Sequence, residues 1–348
     1  VGNPPQEMKA RRAMKALLLK RYGGPDATEL GEVPKPEPGP GEVLIRVHAA
    51  GLNPVDYKIR EGSLKAIQRF RLPVVMGCEL AGVVEKTGAG ANRFKPGDRV
   101  FGRVAKESLG AFAEFAVVHQ DLLATVPDGL DLVTAAGVPL AGLTALQALR
   151  DEMQLKPGQS VFISGGAGGV GTFAIQIAKW LGARVVTTAS PRGRALVERL
   201  GADEVIDYTT EQFQDRLSGM DGAFDLMGGE TLDATFGVVK PGGMVVSIAG
   251  LPEPETARKD LKLGPLMTAA FWFVSRKLRA MARRKGVRYR FLLMHPSGAE
   301  LAELAELVAA GRLEPIVDKV FPFADFAAAM AYLEAGRAKG NVIVRMVD

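Results

Sequence analysis

The chain has 348 residues, 47% hydrophobic and 24% charged, a balance that fits a soluble globular protein of two domains and excludes a disordered one. Its net charge of +5 is concentrated in Arg276, Lys277, Arg279, Arg283, Arg284, Lys285, Arg288 and Arg290, so the excess describes one basic segment and speaks against nucleic acid as the partner. The single cysteine, Cys78, excludes an internal disulfide framework and a cysteine-rich zinc site and fits a reducing, cytoplasmic compartment, while no apolar run reaches the roughly 18 residues of a membrane-spanning helix.

Residues 1–13 are polar and basic without an apolar stretch, and read as an extension or tag, with Met14 as the native start. Short strands follow at 16–19, 42–49, 77–86, 99–102 and 111–118, separated by turn residues such as Lys95-Pro96-Gly97-Asp98. This is the pattern of a β-rich, barrel-like domain. The style changes near Leu132. Helices at 132–136 and 142–150 lead into strand 160–164, a glycine run, helix 171–182, strand 184–189, helix 192–200, strands 204–207 and 223–227, helix 231–238 and strand 243–248. Strand–helix alternation predicts a doubly wound parallel sheet. An amphipathic basic helix or insertion occupies 267–284, and a further helix 298–310. Strands 314–321 and 341–346 flank a helix at 324–335.

The glycine run is Ser164-Gly165-Gly166-Ala167-Gly168-Gly169-Val170-Gly171. It follows a predicted strand and opens a predicted helix, the context a dinucleotide fingerprint requires. Glycines allow the tight turn and let backbone amides approach a pyrophosphate. A site for NAD usually ends its second strand on an acidic residue that holds the ribose 2′-hydroxyl. Here the strand ends Thr188-Ala189-Ser190-Pro191-Arg192-Gly193-Arg194, without a carboxylate. Ser190, Arg192 and Arg194 suit a 2′-phosphate instead, and NADPH is the expected cofactor.

These features resemble the medium-chain dehydrogenase/reductase superfamily, in its zinc-free quinone oxidoreductase (zeta-crystallin-like) branch. The matching motifs run in order: Gly51-Leu52-Asn53-Pro54-Val55-Asp56, Gly77-Cys78-Glu79-Leu80-Ala81-Gly82, Gly97-Asp98-Arg99-Val100, Gly142-Leu143-Thr144-Ala145, the glycine run, and Leu200-Gly201-Ala202-Asp203 with Ile206-Asp207-Tyr208. The stretches Tyr289-Arg290-Phe291-Leu292-Leu293-Met294 and Gly336–Asn341 look like the subgroup of chloroplast-envelope quinone oxidoreductase and reticulon-4-interacting protein. The resemblance implies an α/β protein with a GroES-like catalytic domain from both chain ends (14–134 and 312–348) around a Rossmann domain (135–311). It implies a homodimer joined along the edge of the cofactor sheet. Where zinc-dependent relatives have three catalytic ligands, this chain has Asn53, Cys78 and about Leu140, so no metal site is expected.

Without a Lewis acid, hydride must reach an already electrophilic carbon, as in a quinone or an α,β-unsaturated carbonyl, and a small lipophilic electrophile of that kind is the expected partner. The resulting enolate needs hydrogen-bond donors and then a proton. The candidate catalytic residues are Asn53 as oxyanion donor, and Tyr57 or Lys58 as proton source or ribose contact. Asp56 beside them reads equally as a structural cap. By resemblance, Thr144 contacts the nicotinamide side, while Gly168, Gly169 and Val170 hold the pyrophosphate. Ser190, Arg192, Arg194 and Tyr208 surround the adenosine phosphate. Gly228, Ile248 and Ala249 run along the nicotinamide ribose, Phe291 and Leu293 cover the carboxamide, and Asn341 completes the cofactor set. The segment 272–290 reads as a lid beside the substrate cleft in preference to a membrane-surface helix. An enoyl-thioester reductase and a non-catalytic NADPH-binding protein are the rival readings.

Overall fold

The structure is a computed structural model that describes residues 12–65 and 67–347. The expected extension at 1–13 falls almost wholly outside the described residues; Ala13 already pairs with Pro34 in a strand. The N-terminal part contains β1 (Ala13–Leu19), β2 (Thr28–Pro34), β3 (Glu42–Leu52), α1 (Pro54–Glu61), β4 (Val74–Val75), β5 (Glu79–Thr87), β6 (Arg99–Arg103), β7 (Phe115–His119) and β8 (Leu123–Thr125). The middle contains α2 (Leu132–Ala135), α3 (Pro139–Leu146), β9 (Ser160–Ile163), α4 (Gly169–Trp180), β10 (Arg184–Ala189), α5 (Pro191–Arg199), β11 (Glu204–Asp207), α6 (Phe213–Arg216), β12 (Met220–Asp225), α7 (Gly229–Val238) and β13 (Val239–Ser247). Then come α8 (Pro265–Val274), α9 (Arg276–Arg284), β14 (Arg288–Phe291), α10 (Gly298–Ala309), β15 (Val317–Pro322), α11 (Phe326–Glu334) and β16 (Asn341–Arg345).

The strands form three sheets. A small antiparallel one has the order β2-β1-β4; a larger one runs β15-β16-β3-β5-β6-β8, with β7 also on β3. The late strand β16 lies antiparallel to β3, Val342 facing Leu52. The third sheet has six strands in the order β11-β10-β9-β12-β13-β14, with parallel pairing throughout. Buried on both faces, its central strands are apolar runs: Val161, Phe162 and Ile163 of β9 are fully enclosed. The order reverses between β9 and β12, so a crevice opens at their carboxyl ends. Helix α10 shows the amphipathic counterpart, burying Leu301, Leu304 and Leu307 behind a Ser297 cap that accepts from the Glu300 N–H.

Several elements depart from the sequence reading. Helix α1 is not among the predicted elements; Pro54 at its first position presets the helical φ, but eight residues give little periodicity. The strands β2, β4, β8 and β14 were not anticipated. β14 hides behind its arginines, because Arg290 is buried only through carboxylate partners. The helix expected at 142–150 is α3 followed by a π-helical turn, Gln147–Glu152. The basic helix at 267–284 is two helices, broken at Ser275, whose hydroxyl donates to the Phe271 carbonyl over 2.6 Å. The strand expected at 111–118 begins at Phe115, and that at 314–321 begins at Val317.

Candidate active site

The glycine run sits at the switch point of the parallel sheet. Gly165 adopts φ +69°, which a side chain would oppose. A Cβ on Gly171 would lie 2.5 Å from the Gly165 carbonyl, and one on Gly166 would lie 2.1 Å from Thr187 Oγ1. The turn therefore closes only as glycine. Gly168 caps α4 without a side chain, and the first amide bonded inside the helix is that of Thr172, to Gly168 over 3.0 Å. The N–H groups of Gly169, Val170 and Gly171 thus lack helical acceptors and form an anion cradle. A dinucleotide pyrophosphate fits this cradle.

The next strand supplies the outer end. Ser190 caps α5 through its carbonyl, and its hydroxyl takes no part in the cap. Arg192 is exposed, Arg194 is half-exposed with only a 3.4 Å contact to Glu198, and Tyr208 lies open to solvent. Lys339, which the sequence reading passed over, lies here too: its Cδ is 3.6 Å from where a Cβ on Gly193 would stand. It comes from the far end of the chain, so spacing alone could not place it.

On the other side of the crevice one buried carboxylate organises three strand ends. Asp225 accepts from Ser164 Oγ over 3.2 Å, from Ser247 Oγ over 2.7 Å and from the Gly228 amide over 3.1 Å. Ser247 Oγ in turn accepts from the amides of Ala249 and Gly250. The loops bearing Gly228, Ile248 and Ala249 are thereby held together. Asp225 was missed because a carboxylate ending a hydrophobic strand carries no distinctive spacing. Asn341 belongs to β16 yet lies beside the cradle, its Oδ1 only 2.7 Å from a Cβ built on Gly169. Gly340 donates to the Ala167 carbonyl over 3.0 Å. Across the cleft Lys106 donates to the Leu293 carbonyl over 3.2 Å; desolvation lowers its ammonium to about 8. Phe291 and Leu293 are partly buried, Phe291 at the end of β14 and Leu293 just beyond it.

The candidate catalytic residues stand on α1, where Asn53 is the cap and Asp56, Tyr57 and Lys58 follow. The Asn53 amide nitrogen of the backbone donates to Asp56 Oδ2 over 2.8 Å. Its side-chain Nδ2 donates to Glu79 Oε1 over 2.5 Å, and Glu79 Oε2 accepts from the Leu140 N–H over 2.7 Å. Glu79 thus bridges Asn53 and Leu140, and Cys78 precedes it in the chain. Asn53 and Leu140, two of the three positions expected to match zinc ligands, thus meet on one carboxylate. Among the described residues no group of three or more His, Cys, Asp or Glu could hold a metal ion. Asp56 and Glu79 are 0% and 1% exposed. Burial pushes Asp56 up to about 6 and Glu79 up to about 7, against the opposing pull of their amide donors. The buried Arg103 guanidinium offsets part of that rise. Burial and the neighbouring Asp56 hold the Cys78 thiol well above its ordinary value, which makes it a packing residue.

Asp56 is therefore an interior capping group, and Glu79 and Arg103 are the members of this cluster that the sequence did not single out. Tyr57 and Lys58 are partly exposed on the following turn, with burial raising the Tyr57 hydroxyl. Thr144 is buried and spends its proton on the Leu140 carbonyl at 2.7 Å.

A doubly wound parallel sheet with a glycine cradle, facing a β-rich lobe with a buried polar cluster, defines a nicotinamide-dependent dehydrogenase or reductase. Residues 39–128 match the alcohol dehydrogenase GroES-like domain, and residues 200–344 match the zinc-binding dehydrogenase family. The chain is 34% identical to the mitochondrial NAD(P)H oxidoreductase RTN4IP1 of Danio rerio, over 97% of this chain and 92% of the relative. It is 36% identical to the chloroplastic NADPH-dependent alkenal/one oxidoreductase of Arabidopsis thaliana, over 96% and 80%. The quinone oxidoreductase of Coxiella burnetii superposes with a TM-score of 0.83 at 32% identity, over 97% and 100%. The chain belongs to the medium-chain dehydrogenase/reductase superfamily, alongside its quinone oxidoreductase members.

Proposed function

We propose that the chain is an NADPH-dependent reductase that delivers hydride to the electrophilic carbon of a quinone or an α,β-unsaturated carbonyl. The observation that carries this reading is the pairing of the cradle on α4 with a second strand whose exit bears Ser190, Arg192 and Arg194 and no carboxylate. Relatives named as an alkenal/one oxidoreductase and a quinone oxidoreductase support the substrate class. NADPH, when bound, supplies the hydride. The α4 amides hold its pyrophosphate, Ser190 and Arg194 its 2′-phosphate, and the Asp225-organised loops its nicotinamide ribose. One Nδ2 hydrogen of Asn53 is committed to Glu79, and that bond aims the other at the developing oxyanion. Tyr57 Oη or Lys58 Nζ, on the next turn of α1, delivers the proton to the adjacent carbon.

The test is NADPH oxidation, followed by absorbance, against 1,4-benzoquinone, 9,10-phenanthrenequinone, 1-octen-3-one and crotonyl-CoA, each with NADH as the alternative donor and with a chelator. Turnover of quinone or enone that prefers NADPH and ignores the chelator is expected. Turnover confined to crotonyl-CoA would make the chain an enoyl-thioester reductase. Tight NADPH binding with no turnover would make it a binding protein.

A further inference from the structure

The segment between β13 and β14, expected from sequence as a lid in preference to a membrane-surface helix, presents an exposed face to which the proposed reaction assigns no role. Helix α8 is apolar along most of its length, yet it buries only Phe271. Leu266 is 83% exposed, Trp272 55%, Phe273 58% and Val274 49%, whereas large apolar side chains elsewhere on the chain are mostly enclosed. Three of these four are consecutive at the end of α8. Helix α9 continues from them with Arg276, Lys277, Arg283 and Arg284 outward and Leu278 and Ala282 inward. The two chemistries interlock. The Arg276 guanidinium lies 4.0 Å from the Phe273 ring centroid, and that of Arg279 lies 5.0 Å from Trp272.

The cations are largely uncompensated. Among the described residues Arg276, Arg279, Arg283, Arg284 and Lys285 form no ion pair, and Lys277 reaches only Asp233, at 3.8 Å. The platform beneath is fixed. Arg290 of β14, fully enclosed, pairs with Glu152 at 3.1 Å, Glu253 at 3.1 Å and Asp260 at 2.7 Å. Those bonds tie the chain on the N-terminal side of α8 to the sheet, so the exposed face is carried on a pinned base.

We infer that the α8–α9 face docks on the surface of a bilayer containing anionic lipid. Aromatic and aliphatic side chains at a helix tip, ringed by arginines, match an interface where apolar groups enter the acyl boundary and cations meet phosphate. A second copy of the chain is a poorer occupant. A two-fold contact would set this cationic ring against itself.

The full chain is mixed with vesicles of phosphatidylcholine alone, or of phosphatidylcholine and phosphatidylglycerol in equal parts, and bound protein is measured by flotation. Trp272, one of two tryptophans, reports insertion through quenching by brominated acyl chains. Binding to anionic but not neutral vesicles is expected, weakened by salt. The double variant Trp272→Ser, Phe273→Ser and the double variant Lys277→Glu, Arg284→Glu should each weaken it about tenfold or more. NADPH titration of each variant, unchanged from the parent, verifies its fold. Absence of binding to anionic vesicles at low salt overturns the inference, as does binding that survives the aromatic substitutions. Self-association of the parent that Trp272→Ser, Phe273→Ser abolishes would assign the face to a second copy and equally overturn it.

Discussion

Two helices begin at the edge of the same cleft, and they treat their first turn in opposite ways. α4 starts from Gly168, offers no side chain to its own amides and leaves them for a ligand. α1 starts from Asn53, and the carboxylate of Asp56 turns back to accept the Asn53 N–H. The first terminus is an open anion site made of backbone. The second is closed by its own acid, which frees Asn53 to be aimed by Glu79. A helix start thus becomes a binding site where side chains are withheld, and a platform for side chains where the cap is supplied internally.

The sharpest way to break this contrast is to fill the open terminus. Gly171→Val, whose Cβ would lie 2.5 Å from the Gly165 carbonyl, should lower NADPH affinity by about a hundredfold in a fluorescence titration; retained affinity would reduce the glycines to an ordinary turn. Arg194→Ala should weaken NADPH about tenfold and leave NADH unchanged, and equal losses for both would remove the 2′-phosphate from its role. At the closed terminus Glu79→Ala should lower kcat about tenfold by releasing Asn53, with Glu79→Gln recovering most of it. A kcat insensitive to both would detach Asn53 from the oxyanion. Asp56→Ala should cost about 1–2 kcal/mol of stability by denaturant titration, with cofactor affinity intact.

The smallest effect is on pH. Asp56 and Glu79 titrate in the folded chain at about 6 and about 7, above their ordinary 3.8 and 4.5. Between these limits the native state holds more protons than the unfolded one. Their contribution to stability is fully present below about pH 4 and is lost as pH rises through about 7. The Tm of the parent relative to Glu79→Gln should therefore fall between about pH 5 and about pH 8. A constant difference would mean that Glu79 keeps an ordinary carboxylate pKa.

The open terminus was legible in the sequence and the closed one only in part. A glycine run between a strand and a helix advertises itself, because withheld side chains are visible as composition. Asn53 and Asp56 could be read as candidates, but not as cap and carboxylate of one helix. Glu79 and Arg103 acquire meaning only when β5 and β6 bring them beneath α1. Asp225 is likewise defined by three strand ends meeting in space. The alternating strands and helices of the cofactor half were read nearly in full. β14 was missed since two arginines in four residues contradict a buried strand unless acids elsewhere offset them.

The position of β16 carries a consequence for how the chain is made. It fills the slot between β15 and β3, and its neighbour Gly340 bonds to the glycine turn through Ala167. Until residues 341–345 are made, Ala49–Leu52 of β3 lack their partner strand, although Glu42–Arg46 on the same edge already pair with β7. Only then can the barrel sheet be completed and the nucleotide cradle be closed from outside. An arrest shortly before that point leaves the short apolar edge Ala49–Leu52 unpaired, a form of intermediate prone to aggregate. Completion of the cradle is thus tied to a strand made long after the glycine run that it covers.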